Sequence, residues 1–315
     1  MRAEREDAGT AAEGGPAGER PQPIGGAAAE LRAGGAARAA RGAAEILGPR
    51  RSARSLLYGV WYVTEHQLVI MRSYFTTILM GSVLNPVMYL FAIGVGIGAF
   101  VNSNAGGRGP GGVPYIVFVG PALLASSALT VAFEESAFPV MAGFKWQKVF
   151  FAMNATPVTG GQIATGMLLA MGLRVAFTVA AFWAFLAAFG AAPAAWSFLA
   201  VPAALLGGLS FGALIVAFAS GVEDDEGWFT IVQRLIIAPM FLFSGTFFPL
   251  ESLPLGLQWI GWISPLWHAT QLGRVATYGL HEAPALVAAH ILYLGALQAA
   301  GLFVSFRNFD RRLSK

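Results

Sequence analysis

The sequence lacks cysteine and has few charged residues, and both features narrow the classes of protein to which it can belong. It has 315 residues, no Cys, and only 12% Asp, Glu, Lys and Arg. The absence of cysteine excludes disulfides and thiolate metal sites, and it leaves the redox compartment undetermined. The low charge, together with 56% hydrophobic residues, is typical of a membrane protein. We therefore expect one membrane-embedded helical bundle.

Signatures of nucleotide binding and catalysis are also missing. A Walker A loop needs Gly-Lys followed by Ser or Thr, and none of the lysines, Lys145, Lys148 and Lys315, follows a glycine. The four histidines form no His-Glu-x-x-His motif or comparable pair. We expect no enzymatic activity, no cofactor and no metal ion in this chain. Its basic residues flank apolar segments, so we also expect no nucleic-acid partner.

The first 73 residues form two distinct segments. Residues 1–50 are rich in Ala, Gly, Glu and Arg, with almost no large apolar side chains, so they cannot bury enough surface to offset ordering entropy. We predict a disordered cytoplasmic tail there. Residues 51–73 follow, and their pattern places Leu57, Trp61 and Leu68 on one helical stripe. This stripe predicts an amphipathic helix that lies in the membrane interface.

Six apolar runs then reach or approach the ~20 residues that a helix needs to cross a membrane. Only helices are compatible with these runs, because open strands would leave backbone groups unpaired in lipid. An even number of spans places both termini on one side, where most of the basic residues that flank the runs also fall. The positive-inside rule therefore makes both termini cytoplasmic. The runs are residues 75–100, 114–141, 158–189, 197–220, 230–248 and 285–306.

The segment 243–279, between the fifth and sixth runs, is neither a clean span nor a polar loop. Prolines divide it into pieces about half as long as a span. Its indole rings favour a membrane–water interface, so we predict two short helices in a re-entrant element at the extracytoplasmic face. An ordinary interfacial loop is the alternative. The residues that characterise the element are Phe248, Pro249, Trp259, Trp262, Pro265 and Trp267.

Charged residues fall well inside the second and third apolar runs. Arg174 lies midway along the third run, and Glu134 and Glu135 lie about two turns inside the cytoplasmic end of the second. An ionised side chain at such depth should face protein or water. One explanation is an interhelical ion pair between Arg174 and one of the glutamates. The other is a polar path for a substrate.

Two stretches resemble a known family. The first is FSGTFFPLESLP at 243–254, followed by an aromatic segment and by ISPLWHATQLGR at 263–274. The second is FEESAFPVMAGFKWQKVFFAMNATPVTGGQI at 133–163. In this order they resemble the permease subunits of type-2 ABC transporters, most of all the NodJ- and DrrB-type branch. The resemblance extends over roughly residues 55–310.

The resemblance implies a fold, a function and partners. It implies a six-span permease domain over residues 74–315 in the cell membrane, which pairs with a second copy or a close relative. A separate ATPase subunit would bind ATP and Mg and drive outward transport of an amphipathic substrate such as a drug, lipo-oligosaccharide or glycolipid. The alternative is an ATP-independent carrier or an intramembrane enzyme. We see neither the related halves of a carrier nor the convergent groups of an enzyme.

The loop after the second run is our candidate for contact with the ATPase. Drawn as one helix, residues 144–153 place Trp146, Val149, Phe150 and Met153 on an apolar face that can lie against the membrane. The opposite face would then present aromatic side chains beside basic ones, as a docking helix does. A purely interfacial helix is the alternative. The predicted coupling residues are Phe144, Lys145, Lys148 and Phe151.

Overall fold

The computed structural model describes residues 53–104, 109–224 and 227–314, and within these ranges it contains helices and no strand. The predicted disordered tail, residues 1–50, lies outside the described residues. In chain order the helices are α1 Ala53–Ser73, α2 Phe75–Asn104, α3 Tyr115–Trp146, α4 Val149–Asn154, α5 Gly160–Ala188, α6 Ser197–Gly221, α7 Trp228–Phe243, α8 Leu255–Ile263, α9 Pro265–Tyr278 and α10 Pro284–Leu313.

Five helices, α2, α3, α5, α6 and α10, are long and apolar enough to cross a membrane. The fifth predicted run forms the shorter α7, about 24 Å long at 1.5 Å per residue. This helix ends at Phe243 because Gly245 adopts a left-handed backbone with φ 71. Near its start Phe229 packs on Phe138, and just beyond its end Phe247 O accepts a 3.1 Å hydrogen bond from Tyr115 Oη. Segment 228–247 therefore runs along most of α3.

The described helices meet at two ends of the bundle. We call the first the Lys145 end, where the last turns of α3, α6 and α10 approach α4 and the start of α5. There Asn308 Nδ2 donates to Ala217 O at 2.9 Å, and Asn154 Nδ2 donates to Leu313 O at 3.2 Å. We call the second the Arg274 end, where α9 approaches the start of α3 and the segment that follows α7.

The central span is α3, and small residues let its neighbours approach closely. Over its most apolar stretch α3 is 78% buried, against 29% for α2 and 17% for α10. A Cβ on Gly208 of α6 would lie 3.1 Å from Ala128 O of α3, and one on Gly301 of α10 would lie 2.6 Å from the Ala213 backbone. Such contacts hold helices together where lipid removes the hydrophobic driving force. The exposed apolar faces of α2 and α10 are left for lipid or another chain.

Helix α1 lies alongside the first half of α5. Val63 is buried against Gly166, and the Thr64 hydroxyl contacts the carbonyl oxygen of Gly166 at 3.3 Å. Leu57 and Trp61 of the predicted apolar stripe face away from this contact, since they are 70% and 50% exposed, whereas Leu68 packs against a buried cluster that includes Ala170 of α5. The helix therefore has one face on the bundle and an apolar face turned outward.

Local sequence sets several helix ends. A capping box opens α5: the amide of Gln162 donates to Thr159 Oγ1 at 3.3 Å, and Thr159 N donates to Gln162 Oε1 at 2.8 Å. Pro284 occupies the first turn of α10, where its missing N–H is not needed. Segments of π-helix occur in α2, α3 and α7, whereas α10 is a continuous α-helix along its 30 residues.

Candidate functional site

The predicted continuous helix over 144–153 is wrong, because the chain breaks between two shorter elements. Ala142–Trp146 forms a π-helical turn, Gln147 and Lys148 follow, and α4 begins only at Val149. Lys148 has a left-handed backbone with φ 54. For a residue other than glycine this conformation costs about 1–2 kcal/mol, so surrounding contacts must compensate for it.

Those contacts come from an aromatic cluster that buries Phe144. The Phe144 ring lies 4.9 Å from that of Phe150 and 4.8 Å from that of Phe309 in α10, and it is only 2% exposed. The Arg312 guanidinium covers the Phe144 ring at 4.2 Å. The predicted exposed position of Phe144 is therefore also wrong. Tertiary burial of this ring, which periodicity does not detect, takes precedence over a regular helix.

The other predicted coupling residues remain at the surface of the Lys145 end. Phe151 is 41% exposed, and Lys148 is exposed without an ion pair to any residue that the structure describes. Lys145 pairs with Asp224 in the connection between α6 and α7. Together they border an open cleft of about 440 Å³, which Arg312 closes at the back. The cleft thus presents apolar rings and charges of both signs.

Inside the bundle, Arg174 is paired with Glu135. Its Nη1 donates to Glu135 Oε1 at 2.5 Å, and both side chains are largely buried, whereas its Nε has no hydrogen-bond partner among the described residues. This is the interhelical ion pair that the sequence predicts, with Glu135 as the partner. Glu134 is one residue away and remains exposed on the surface of α3. Nearby, Ser82 Oγ and Thr178 Oγ1 form a hydrogen bond at 2.9 Å.

At the Arg274 end, the segment 243–279 contains the two predicted short helices, α8 and α9. Ser264 separates them and accepts the amide of Leu266 at 3.1 Å, and Pro265 opens α9. Gly279 ends α9 with φ 74. Trp259 and Trp262 are about half exposed on α8, whereas Phe248, Pro249, Pro265 and Trp267 are partly or fully buried.

Arg274 is the buried centre of this end. It is 4% exposed, and burial lowers its pKa to about 10. Its Nη2 donates to Gly245 O at 2.6 Å, its Nη1 donates to Gln271 Oε1 at 3.1 Å, and it covers the Phe118 ring at 3.9 Å. Arg274 therefore ties α9 to the start of α3 and to the segment after α7.

Two histidines, which share no short sequence motif, continue this network toward α10. His268 Nδ1 lies 2.7 Å from His290 Nδ1, and His268 Nε2 lies 3.0 Å from Trp262 O. Since a carbonyl oxygen only accepts, His268 carries its proton on Nε2, and its Nδ1 accepts from His290. Burial lowers the pKa of His268 to about 4, because a charged ring would be poorly solvated there.

Glu282 closes the network on the far side of His290. Its Oε2 faces His290 Nε2 at 3.3 Å, and its Oε1 accepts from Gln271 Nε2 at 2.9 Å. Two facing lone pairs would repel, so a proton lies on one of the two groups. Burial raises the pKa of the Glu282 carboxyl, which favours retention of that proton. The series of hydrogen bonds that runs from Trp262 through the two histidines and Glu282 to Arg274 is therefore complete when one proton lies between His290 and Glu282.

The sequence offered weak signals for this network. His290 lies in an apolar run and His268 in an aromatic segment, and a polar side chain in such surroundings needs a partner. Their 22-residue separation matches no short motif. Pairing between helices is visible only once α9 and α10 are placed beside each other.

Comparison with known proteins identifies the family. Residues 58–278 match the family model described as ABC-2 type transporter. The chain is 30% identical over 240 residues to Nodulation protein J of Neorhizobium galegae, covering 75% of this chain and 87% of that protein. It is also 30% identical over 236 residues to Nodulation protein J of Rhizobium meliloti (strain 1021), covering 75% and 86%. With its apolar spans, the chain is a multi-pass membrane permease that belongs to the ABC-2 type transporter family, in the NodJ-like branch.

Proposed function

We propose that this chain is the permease subunit of an ATP-driven exporter, with ATP hydrolysis in a separate subunit. Family membership supports a transporter subunit, and the observation that carries the coupling role is the surface of the Lys145 end. Phe151 and Lys148 are exposed there and line the cleft, and Trp146 is exposed nearby in the chain. Exposed rings next to a basic residue suit a groove on a soluble partner.

The proposed orientation places the Lys145 end in the cytoplasm. Lys145, Lys148, Arg311 and Arg312 all lie at this end, and the positive-inside rule applies to short loops of this kind. In this orientation α7 acts as a sixth crossing, and both termini are cytoplasmic. The helices α8 and α9 then form a re-entrant element at the outer face, with Trp259 and Trp262 at the interface.

The proposed pathway involves two permeases. The weakly buried faces of α2 and α10 are large enough to take another chain, and a second copy or close relative would cover one of them. The substrate is an amphipathic molecule, because the aromatic element at the outer end suits a molecule with a lipid part. The chain lacks cysteine, so engineered cysteine pairs on these faces test the dimer by crosslinking without background.

The decisive experiment tests the proposed coupling surface. Phe151→Asp should abolish association with a co-expressed Walker A ATPase subunit and the ATP hydrolysis of the complex, because an unpaired carboxylate is costly in an apolar interface. Phe151→Leu is the matched control, since it keeps an apolar side chain, and it should retain most of the association. Phe144→Asp is unsuitable as a test, because Phe144 belongs to the buried aromatic cluster.

Membrane insertion, together with the elution volume in size-exclusion chromatography, establishes for each variant that the bundle is intact. If Phe151→Asp inserts normally and still binds and activates the ATPase, Phe151 is not part of a coupling surface. If no ATPase binds even the unchanged chain and transport proceeds without ATP, the exporter proposal itself fails.

A further inference from the structure

A cavity of about 180 Å³ lies between α2, α3 and α5, beside the Arg174–Glu135 pair, and Phe241 of α7 also lines it. Glu134 contributes to its wall, about 18 Å along the helix axis from Trp146 at the Lys145 end. An engineered apolar cavity of about 150 Å³ holds a benzene molecule. This cavity is therefore large enough for the head of a small molecule.

The hydroxyls on the α3 wall present acceptors to the cavity. Ser126 Oγ donates to Ala122 O at 2.7 Å, Ser127 Oγ to Leu124 O at 2.8 Å, and Thr130 Oγ1 to Ser126 O at 3.0 Å. Each hydroxyl has only one proton, and here that proton is used within the helix. This wall therefore offers a ligand oxygen lone pairs, which bind hydrogen-bond donors, whereas the donors in the cavity lie on the facing walls, at Arg174 and the Ser82–Thr178 hydroxyl pair.

The charges beside the cavity do not cancel. Arg174 is bound to Glu135, and among the described residues it is also the cation that acts on Glu134. Two carboxylates against one guanidinium leave a net charge of about −1 when all three are ionised. A carboxylate at this depth in a span requires water, a proton or a cation beside it.

We propose that the cavity binds the protonated amine of an amphipathic molecule, with Glu134 as its counter-ion. This rests on the proposed export function and specifies the polar group of its substrate. An ammonium carries several N–H donors, which match Glu134 and the free lone pairs of Thr130 and Ser127. Apolar lining from Phe182 and Phe241 accommodates the adjoining carbons, and aromatic faces also attract cations.

A neutral sugar is the main rival ligand. Its hydroxyls would also donate to the lone pairs on α3, and they would engage Glu134 by hydrogen bonds. They would leave the excess negative charge without a counter-ion, whereas an ammonium neutralises it. The charge of the site therefore favours the amine.

The test compares three probes that share one tail: n-octylamine, n-octanol and n-octyl glucoside. The full-length chain is placed in nanodiscs, and saturable binding is measured at about neutral pH with empty nanodiscs as background. We expect octylamine to bind about tenfold or more tightly than either neutral probe, since charge-assisted hydrogen bonds contribute more than neutral ones. Comparable binding of octylamine and octanol, or preferential binding of octyl glucoside, would overturn the amine assignment.

Variants identify the residue responsible. Glu134→Gln should weaken octylamine binding about tenfold, the effect of losing one hydrogen bond to a charged group, and leave octanol binding unchanged. Glu251→Gln removes an exposed carboxylate at the opposite end and should change nothing. Thr130→Val keeps the side-chain shape and should weaken octylamine binding by about tenfold. Unchanged octylamine binding in both Glu134→Gln and Thr130→Val would refute the site.

ATPase association of the same preparations separates this proposal from the broader one. If octylamine selectivity is absent while the chain still binds and activates an ATPase, the amine site is wrong and the exporter stands. If the chain binds octylamine through Glu134 but no ATPase associates, the site stands and the exporter proposal fails.

Discussion

Acidification should loosen the Arg274 end through His268, and the size of the effect follows from its burial. His268 donates to Trp262 O and accepts from His290, so the ring has no free nitrogen for a second proton. The pKa of His268 is lowered from 6.5 to about 4 in the folded chain. A difference of about 2.5 units corresponds to about 3 kcal/mol at 1.36 kcal/mol per unit.

The sign follows from proton uptake. Above about pH 7 His268 is neutral in both the folded and the unfolded chain, so its contribution to stability does not vary with pH. Between pH 6.5 and about 4 the unfolded chain takes up a proton that the folded chain excludes. The free energy of unfolding therefore falls as pH falls through this window, and the loss levels off below about pH 4.

Thermal unfolding of the nanodisc-embedded chain, followed by tryptophan fluorescence, measures this loss. Between about pH 7.5 and about pH 4.5 we expect the His268 contribution to lower the melting temperature by about 6–12 °C. His268→Gln retains a donor for Trp262 O but does not titrate, so its pH-dependent loss should be smaller by that amount. His281→Gln, at an exposed histidine in the same region, is the matched control.

Subtracting the pH-dependent loss of melting temperature of His268→Gln from that of the unchanged chain removes the contribution of carboxylates elsewhere. Identical losses on acidification for the unchanged chain and His268→Gln would refute the reasoning, and they would mean that His268 is solvated or already charged. The reasoning would equally be refuted if His281→Gln, and not His268→Gln, reduced the loss of melting temperature on acidification.

Two further replacements test the membrane-embedded packing. Glu135→Gln leaves the Arg174 guanidinium buried without a carboxylate, and we expect it to lower the free energy of unfolding by about 3–5 kcal/mol, whereas adding Arg174→Met should restore most of that loss. Denaturant titration of the two variants measures this, and equal stability of the single and double variants would contradict the ion pair. Gly301→Val places a Cβ against the Ala213 backbone and should cost about 1–3 kcal/mol. Gly295→Ala, where the added Cβ meets nothing within 4 Å, should be neutral or stabilising in the same titration.

Properties encoded over short stretches could be predicted from the sequence. Apolar length locates five spans, because a helix is the only backbone form that lipid tolerates in such runs. Prolines and glycines mark the division into α8 and α9 for a similar reason, since their effect on the backbone is local. The Arg174–Glu135 pair could be predicted because a charge in an apolar run requires a partner.

Features that depend on distant residues could not be predicted. The 144–153 segment has helical periodicity, yet Phe309 and Arg312, more than a hundred and fifty positions later, bury Phe144 and break the helix. His268 and His290 likewise meet only after α9 folds back on α10. Helix propensity contributes fractions of a kcal/mol per residue, so such tertiary contacts readily outweigh it.

The continuity of α10 has a mechanical consequence. Near one terminus it holds Phe309 against the aromatic cluster of the Lys145 end, and toward the other it holds His290 in the network of the Arg274 end. About 28 Å of unbroken helix separates these two residues. Because α10 has no π-helical segment or internal proline to absorb strain, a push on Phe309 should reach His290 as a displacement of the whole rod. The α10 helix then works as a lever, and spin labels flanking positions 290 and 309 should keep a constant separation while both move relative to α3.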